Sequence, residues 1–575
     1  MALLIDALIV IIYFVGILAV GLYMGRRENS LHDFALGGRR VPWWAVMASI
    51  IAAETSAATF LGAPGEGYEK RSLAYVQLVM GLILGRVLVG YVFLKPYYTY
   101  KVYTVYDYLD VRFGPASKNY VSALFLLMRT LASGTRLFVP SLVIVLAWQL
   151  FVQGEQVNFS QGAVTSLGPY VVAIVALTII TCLYTAVGGI KAVIWTDVIQ
   201  ATLMFGSALT AIVTLLYHIG GDSMNLMDGL RALGQAVPQM KTTEGYFLTG
   251  LEPRAVNNWM VSHNLASMSP IDYVWLILGS DYTLFSALIA STLGNMAAFG
   301  TDQDMVQRML TAETYKQSRR SLITAALMDV PIAAAFTFIG ILLFVYYQQD
   351  PTYKPAANAD VFGSYILNVM PPGIRGLVIA GVFATAMGSL SAALNALATS
   401  MTNDWYIPYL APRRHERHYV GAARFFTAMF AFLMILIAVF FAYAKIKDPG
   451  VRIIPVVLGI AAFILGPMLG VFLIGMLTKR RGSDTGNIIA ITLGLITTIY
   501  LGGLHVDMLN LFGVGHWVSP PPIKVSFTWF ALIGASVVFA VGVLFRTPQD
   551  VLDVARRRRE EAHHDDRPLA LRGPA

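Results

Sequence analysis

Thirteen long apolar runs determine the solvent in which this chain folds. A helix needs about 20 mostly apolar residues to cross the hydrocarbon core of a bilayer. Such runs cover roughly 4–23, 42–68, 73–94, 120–150, 166–187, 191–217, 282–300, 320–347, 374–402, 420–444, 453–477, 486–505 and 525–545. They predict an all-α integral membrane protein of about 13 transmembrane helices. Charged residues are 13% of the chain and hydrophobic ones 57%, whereas soluble proteins carry about a quarter charged residues. A soluble enzyme, a disordered chain and a nucleic-acid-binding domain are therefore excluded. The net charge of +8 arises from basic residues in short loops rather than on one face. The single cysteine, Cys182, lies in an apolar run and excludes both a disulfide framework and a cysteine-based metal cluster.

The first run has no basic leader and no small-residue cleavage site before Arg26, so it reads as a retained span. Lys and Arg in short loops set the orientation. Arg26, Arg27, Arg39 and Arg40, then Lys101, Arg112 and Lys118, fall on one side of a thirteen-span chain. So do Arg308, Lys316, Arg319 and Arg320, then Arg413, Arg414 and Arg417, then Lys479, Arg480 and Arg481. That side is predicted to be cytoplasmic, giving an N-out, C-in protein of the plasma membrane, of the bacterial inner-membrane kind. The opposite loops are poorer in basic residues but hold Lys70, Arg71, Lys445 and Lys447. The outside segment 218–281 is expected to pack over the bundle, with a short helix around 224–235. The tail, with Arg556 to Arg559 in RRRREEAHHDD, reads as solvated, or more sharply as a contact for anionic lipid.

No Walker A loop, HExxH or GxSxG occurs, and the nine histidines have no ligand spacing. A carrier or channel is therefore favoured over a pump or an enzyme, and no organic cofactor is expected.

Polar residues inside spans carry functional weight, because burying them in lipid is expensive. The second run, ASIIAAETSAATFLGAPGEGYEKR, places Glu54 near its middle, beside Thr55, Ser56 and Thr59. Gly62, Pro64, Gly65 and Gly67 then weaken the helix. Irregular backbone at membrane depth is tolerated where it lines a cavity, and its freed carbonyls can coordinate a cation. Glu54 is either a cavity carboxylate or the partner of a buried cation such as Arg136. The ninth run, IAGVFATAMGSLSAALNALATSMTNDW, is dense in small residues and allows close helix approach. Thr385 and Ser389 are four apart, so they share a face. Their hydroxyl and carbonyl oxygens suit a hard cation such as Na⁺. Asp197 in IKAVIWTDVIQ and Asp329 in ALMDVP are further intramembrane acids. Arg129 and Arg136 are seven apart on one span and should point into the bundle together.

Taken as a set, FALGGRRVPWW, ASIIAAETSAATFLGAPGEGY, VYDYLDVRFG, GGIKAVIWTDVIQ, FGTDQDMVQR, ATAMGSLSAALNALATSMTND and GPMLGVFLIGMLTKR resemble the sodium/solute symporter family. That family includes the sodium–glucose, proline, sialic acid and iodide carriers. The resemblance implies a LeuT-type fold of two inverted five-helix repeats with flanking helices. Its layout here is a first helix and loop over 1–41, repeat A over 42–217 and an extracellular region over 218–281. Repeat B follows over 282–478, then two helices over 479–546 and a cytoplasmic tail over 547–575. The second and seventh spans would be the broken ones.

The implied sodium site falls on Ala52, Thr55, Thr385, Gly388 and Ser389. Gly388 stands where the family often has a serine, so one hydroxyl ligand is missing. A second sodium site would use Asp197 and Ser391. Glu54, Thr59 and Asn295 fall on the implied substrate-binding positions, with Ala298 where an aromatic gate is expected. A free carboxylate at Glu54 would disfavour an anionic solute, so a sugar or polyol is expected. The function implied is sodium-coupled symport of a small organic solute by alternating access, with Na⁺ as coupling ion and the lipid bilayer as partner. Alternatives are a solute-sensing receptor of the same fold, or a proton-coupled carrier using Glu54 or Asp197.

Overall fold

The computed structural model describes residues 2–26, 30–153, 166–221, 225–237, 249–280, 283–447, 453–506 and 525–564. Its main helices begin with α1 (Ala2–Met24), α2 (Leu31–Leu36), α3 (Trp43–Glu54), α4 (Ala57–Lys70) and α5 (Leu78–Val92). Next come α6 (Asp107–Arg112), α7 (Pro115–Arg136), α8 (Phe138–Gln153) and α9 (Leu167–Ile219). Three helices lie over the outside segment: α10 (Leu226–Ala236), α11 (Pro253–Ser262) and α12 (Pro270–Gly279). Then follow α13 (Ser291–Thr301), α14 (Gln303–Leu310), α15 (Tyr315–Gln349), α16 (Ile374–Ser400) and α17 (Glu416–Lys447). The chain ends in α18 (Ile453–Leu477), α19 (Asp484–Leu501), α20 (Phe530–Gly542) and α21 (Gln549–His564).

Helix occupies each of the thirteen apolar runs. By length and composition, nine helices among the described residues can cross a membrane, or ten with the bent pair α3/α4 counted as one span. The difference from thirteen has a local cause in each case. The fifth and sixth runs form the single 53-residue α9, kinked at Gly189 (φ 50°, ψ −150°). Only glycine fits there, because a Cβ would lie 2.5 Å from the Phe34 carbonyl oxygen. The seventh and thirteenth runs hold helices too short to pass the length criterion.

The second run breaks sharply, but before the expected breakers: α4 runs unbroken through Gly62, Pro64, Gly65 and Gly67. Thr55 is extended (φ −80°, ψ 104°), which ends α3 at Glu54. Ser56 then caps α4 by accepting from the Thr59 N–H at 3.3 Å. The two halves are bent by 69°. The seventh run contains a π turn at Ser286–Ala290. Past α13 it is broken again at the extended Asp302 (φ −87°, ψ 118°), where α14 begins.

The long α9 and α16 form the heart of the bundle, with α1, α3, α15 and α17 packed around α9. The small residues of α16 have the predicted effect. Between Arg375 and Ser400 every residue is buried except Leu377 and Ser389. A second layer joins α18, α19 and α20, with α13 against α18. The expected short helix of the outside segment is α10, capped by Asn225. The tail is largely solvated as expected, with Arg556, Arg557 and Glu560 exposed, and α21 folds back so that Arg558 pairs with Asp110 of α6 at 2.9 Å. The tail beyond residue 564 lies outside the described residues.

Candidate functional site

The site is built around the gap between α3 and α4. A continuous helix would satisfy the last carbonyls of α3 with the amides that follow. The extended Thr55 prevents this, and the carbonyls of the last turn turn toward α16. The Ser389 hydroxyl donates to the Ala53 carbonyl at 3.2 Å. The Ala52 carbonyl oxygen lies 3.2 Å from where a Cβ on Gly388 would sit. Two more oxygens converge on that same point, Gln200 Oε1 at 2.9 Å and Asp197 Oδ1 at 3.5 Å. Both are buried with no hydrogen-bond partner among the described residues. A buried unsatisfied acceptor costs about 1–3 kcal/mol. Two of them facing a backbone carbonyl form a cluster that a hard cation would relieve.

Of the predicted sodium ligands, Ala52, Gly388 and Ser389 therefore come together, and Thr55 is the hinge beside them. The Thr385 hydroxyl bonds back to the Val382 carbonyl at 2.8 Å, within its own helix. Of the predicted second site, Asp197 borders the cluster, while the Ser391 hydroxyl bonds back to the Gly388 carbonyl at 3.1 Å. Gln200 was not foreseen. Its signal was its spacing, three residues after Asp197 and so on the same face of α9.

Asp197 is also tied below. Its Oδ2 accepts from Ser49 at 2.6 Å and from Arg308 at 2.7 Å, and both ion-pair partners are fully buried. Arg308 comes from α14, just past the break at Asp302. The same turn supplies Asp302 and Asp304, which both pair with Arg129 of α7.

Arg136 ends α7 and behaves differently from Arg129, seven residues earlier. Among the described residues it makes no hydrogen bond or ion pair. It lines a cavity with Ser56, Ala57, Ser133 and Ser389. The cavity holds only about 20 Å³, room for about one water. Solute entry therefore requires the gap between α4, α7 and α16 to open.

Glu54 is not a free carboxylate, and its partner is not Arg136. Arg86 of α5, fully buried, pairs with Glu54 and also with Asp329 of α15 at 2.8 Å. The guanidinium sits 4.1 Å from the Phe299 ring centroid. Glu54 keeps about a quarter of its side chain exposed (27%). Thr59 is held in the first turn of α4 beside Ser56, with the two hydroxyl oxygens 3.2 Å apart. The Asn295 amide donates to the Ser291 carbonyl in its own helix. It faces a separate groove against α18 and α20, so the structure does not bring Asn295 to the Arg136 cavity.

The sequence profile of the sodium:solute symporter family matches residues 34–494. The chain belongs to this family. It is 27% identical to the sodium/sialic acid symporter of Proteus mirabilis, over 88% of this chain and 90% of the relative. It is 25% identical to the sodium/glucose cotransporter of Vibrio parahaemolyticus, over 88% and 86% of the two chains. The sodium/myo-inositol cotransporter 2 of Sus scrofa is 27% identical, with 86% of this chain and 70% of the relative covered. Among solved structures, a substrate-bound outward-open Na⁺-coupled sialic acid symporter superposes with a TM-score of 0.71. The two are 25% identical, and the match covers 94% of this chain and 97% of the other. This chain is thus a multi-pass, sodium-coupled symporter and not an enzyme. Neither a sensing receptor nor a proton-coupled carrier is favoured by these relatives.

Proposed function

We propose that this symporter imports a small organic carboxylate, a sugar acid of the sialic acid type, driven by inward Na⁺. The observation that carries the reading is Arg136. A guanidinium beside the helix break, with three serines and no direct ion pair among the described residues, is set to receive a carboxylate in a two-point contact. The expected sugar or polyol rested on Glu54 as a free negative charge. With Arg86 beside it, that objection to an anionic solute is weakened. Two of the relatives described above are named for sialic acid, which supports the same class.

In this reading Na⁺ binds among Ala52, Thr55, Thr385, Gly388 and Ser389. Gln200 Oε1 and Asp197 Oδ1 supply the oxygens that a serine at 388 would otherwise contribute. The arginine-rich loops face the cytoplasm, giving an N-out, C-in carrier with thirteen spans. Uptake by proteoliposomes tests the assignment, using labelled sialic acid, a simple sugar acid and glucose in Na⁺ and in choline buffer. Acid uptake that needs Na⁺ is expected. Arg136→Gln should weaken acid affinity by about 10- to 150-fold, the worth of a charged hydrogen bond. Glucose uptake equal to that of the acids, or acid uptake that survives Arg136→Gln, would reject this substrate class.

A further inference from the structure

We propose that the groove between the end of the α16 span and the start of α17 is a binding site for an anionic phospholipid of the adjacent leaflet. Past Ser400 the chain continues as a π-helix, Met401–Leu410, with Pro408 inside it. Its wider turns leave a groove of about 490 Å³ against α17, lined by Met401, Leu410, Phe425 and Phe426 with Tyr406 and His418 at its polar rim. The Tyr406 hydroxyl and His418 Nε2 are 3.0 Å apart.

The charge at the mouth selects the occupant. The connecting loop carries Arg413 and Arg414 and the first turn of α17 carries Arg417, all exposed and without an ion pair among the described residues. The loop is held in place, because the Tyr419 hydroxyl donates to the Ala411 carbonyl at 2.9 Å and accepts from the Arg414 N–H at 2.8 Å. Glu416, the one acid in the loop, is already engaged by the Leu31 N–H at 2.9 Å. A phosphate headgroup thus meets several cations and no free acid. Below the mouth the groove runs onto an exposed apolar stripe of α17: Phe425, Phe432, Leu436 and Phe440, spaced by seven, four and four residues. An acyl chain would lie along that stripe. A free phosphate would use the arginines and leave the apolar wall bare.

Gly421 provides the control, because a side chain added there would meet nothing within 4 Å. Gly421→Phe therefore fills the groove without disturbing the helix packing, and Gly421→Leu is a milder version. The full chain, purified in mild detergent, is exposed to equal amounts of dioleoylphosphatidylglycerol and dioleoylphosphatidylcholine. Lipid retained is counted by native mass spectrometry. The parent should prefer the anionic lipid by at least about fivefold, the contribution of one basic side chain near an anionic surface. The triple change Arg413→Gln, Arg414→Gln, Arg417→Gln and each Gly421 variant should bring the ratio toward one. Excess glycerol phosphate should not displace the lipid. Na⁺-dependent uptake after each preparation is reconstituted into proteoliposomes reports that the variant is folded. Equal retention by the parent, a preference that survives either kind of variant, or displacement by glycerol phosphate would overturn the proposal.

Discussion

Arg86 offers a test of the charge balance at the helix break. Its guanidinium is buried and shared by Glu54 and Asp329. One positive charge thus faces two carboxylates, 0% exposed against 27% and 12%. Arg86→Gln leaves both acids without a cation. Removing one partner of a buried ion pair costs about 3–5 kcal/mol. For 575 residues unfolding as one unit, this lowers the thermal midpoint by roughly 2–4 °C. Glu54→Gln has the opposite balance. It leaves Arg86 with Asp329 alone, and the amide can still accept a hydrogen bond from the guanidinium. Its midpoint should stay within roughly 1 °C of the parent.

The double change Glu54→Gln with Arg86→Gln should recover part of the loss, since one buried acid is left unpaired instead of two. Heating the purified variants in detergent and following the monodisperse peak gives the order of midpoints. The expected order is parent close to Glu54→Gln, then the double variant, then Arg86→Gln. Equal losses for the two single variants, or a double variant no better than Arg86→Gln, would refute the shared counter-ion. Solute affinity adds a second arm. With one negative charge fewer near the cavity, Glu54→Gln should leave affinity for an acid unchanged or raised. A fall in that affinity would mean that Glu54 touches the solute.

At the cation cluster, Gln200→Ala should raise the Na⁺ concentration for half-maximal uptake. Gly388→Ser alone should crowd Gln200, whose Oε1 lies 2.9 Å from the new Cβ, while the two changes together should restore Na⁺ dependence. Additive losses in that double-mutant cycle would show that the two positions do not share an ion. Ser389→Ala should weaken both Na⁺ and solute in uptake assays, and an effect on only one would separate the sites. Outside the spans, burial and then Arg39 push the His32 imidazole below its ordinary value, against an opposing pull from Asp33 and Glu416. The folded state then resists a proton that the unfolded chain accepts below about pH 6.5. Stability should fall on acidification through that range, and His32→Asn should flatten that part of the midpoint–pH curve.

The apolar runs were enough to place the helices, because hydropathy is local, but the breakers Gly62, Pro64, Gly65 and Gly67 sit inside α4 and the bend falls earlier, at Thr55. Pairing is not local. Arg86 looks like a stray charge in LILGRVLVG, and nothing near it in sequence announces Glu54, 32 positions away. Periodicity indicates the face on which Glu54 lies, but not that a guanidinium from another helix meets that face. Arg129 and Arg136 illustrate the same limit. Their spacing places them on one face of α7, but only tertiary packing gives the first two direct ion pairs, and the second none among the described residues. The sequence also registered the missing serine at 388 as a lost ligand. It did not reveal that Gln200 occupies the vacated space, because that compensation runs between α9 and α16.

Ser389 shows how coupling can arise from this geometry. It is the one mid-helix residue of α16 left partly open. Its hydroxyl holds the Ala53 carbonyl at the end of α3, next to the Ala52 carbonyl of the cation cluster. The same side chain lines the cavity that holds Arg136. Ser56, which caps α4, lines that cavity too. In the proposed reading, a cation at the cluster would fix the end of α3 against α16, and a carboxylate at Arg136 would draw α7 toward the start of α4. Both acts would order the same hinge at Thr55, so whichever ligand bound first would bear the ordering cost for the other. Linkage makes the benefit reciprocal, and ordering one shared hinge provides it without a direct contact between ion and solute.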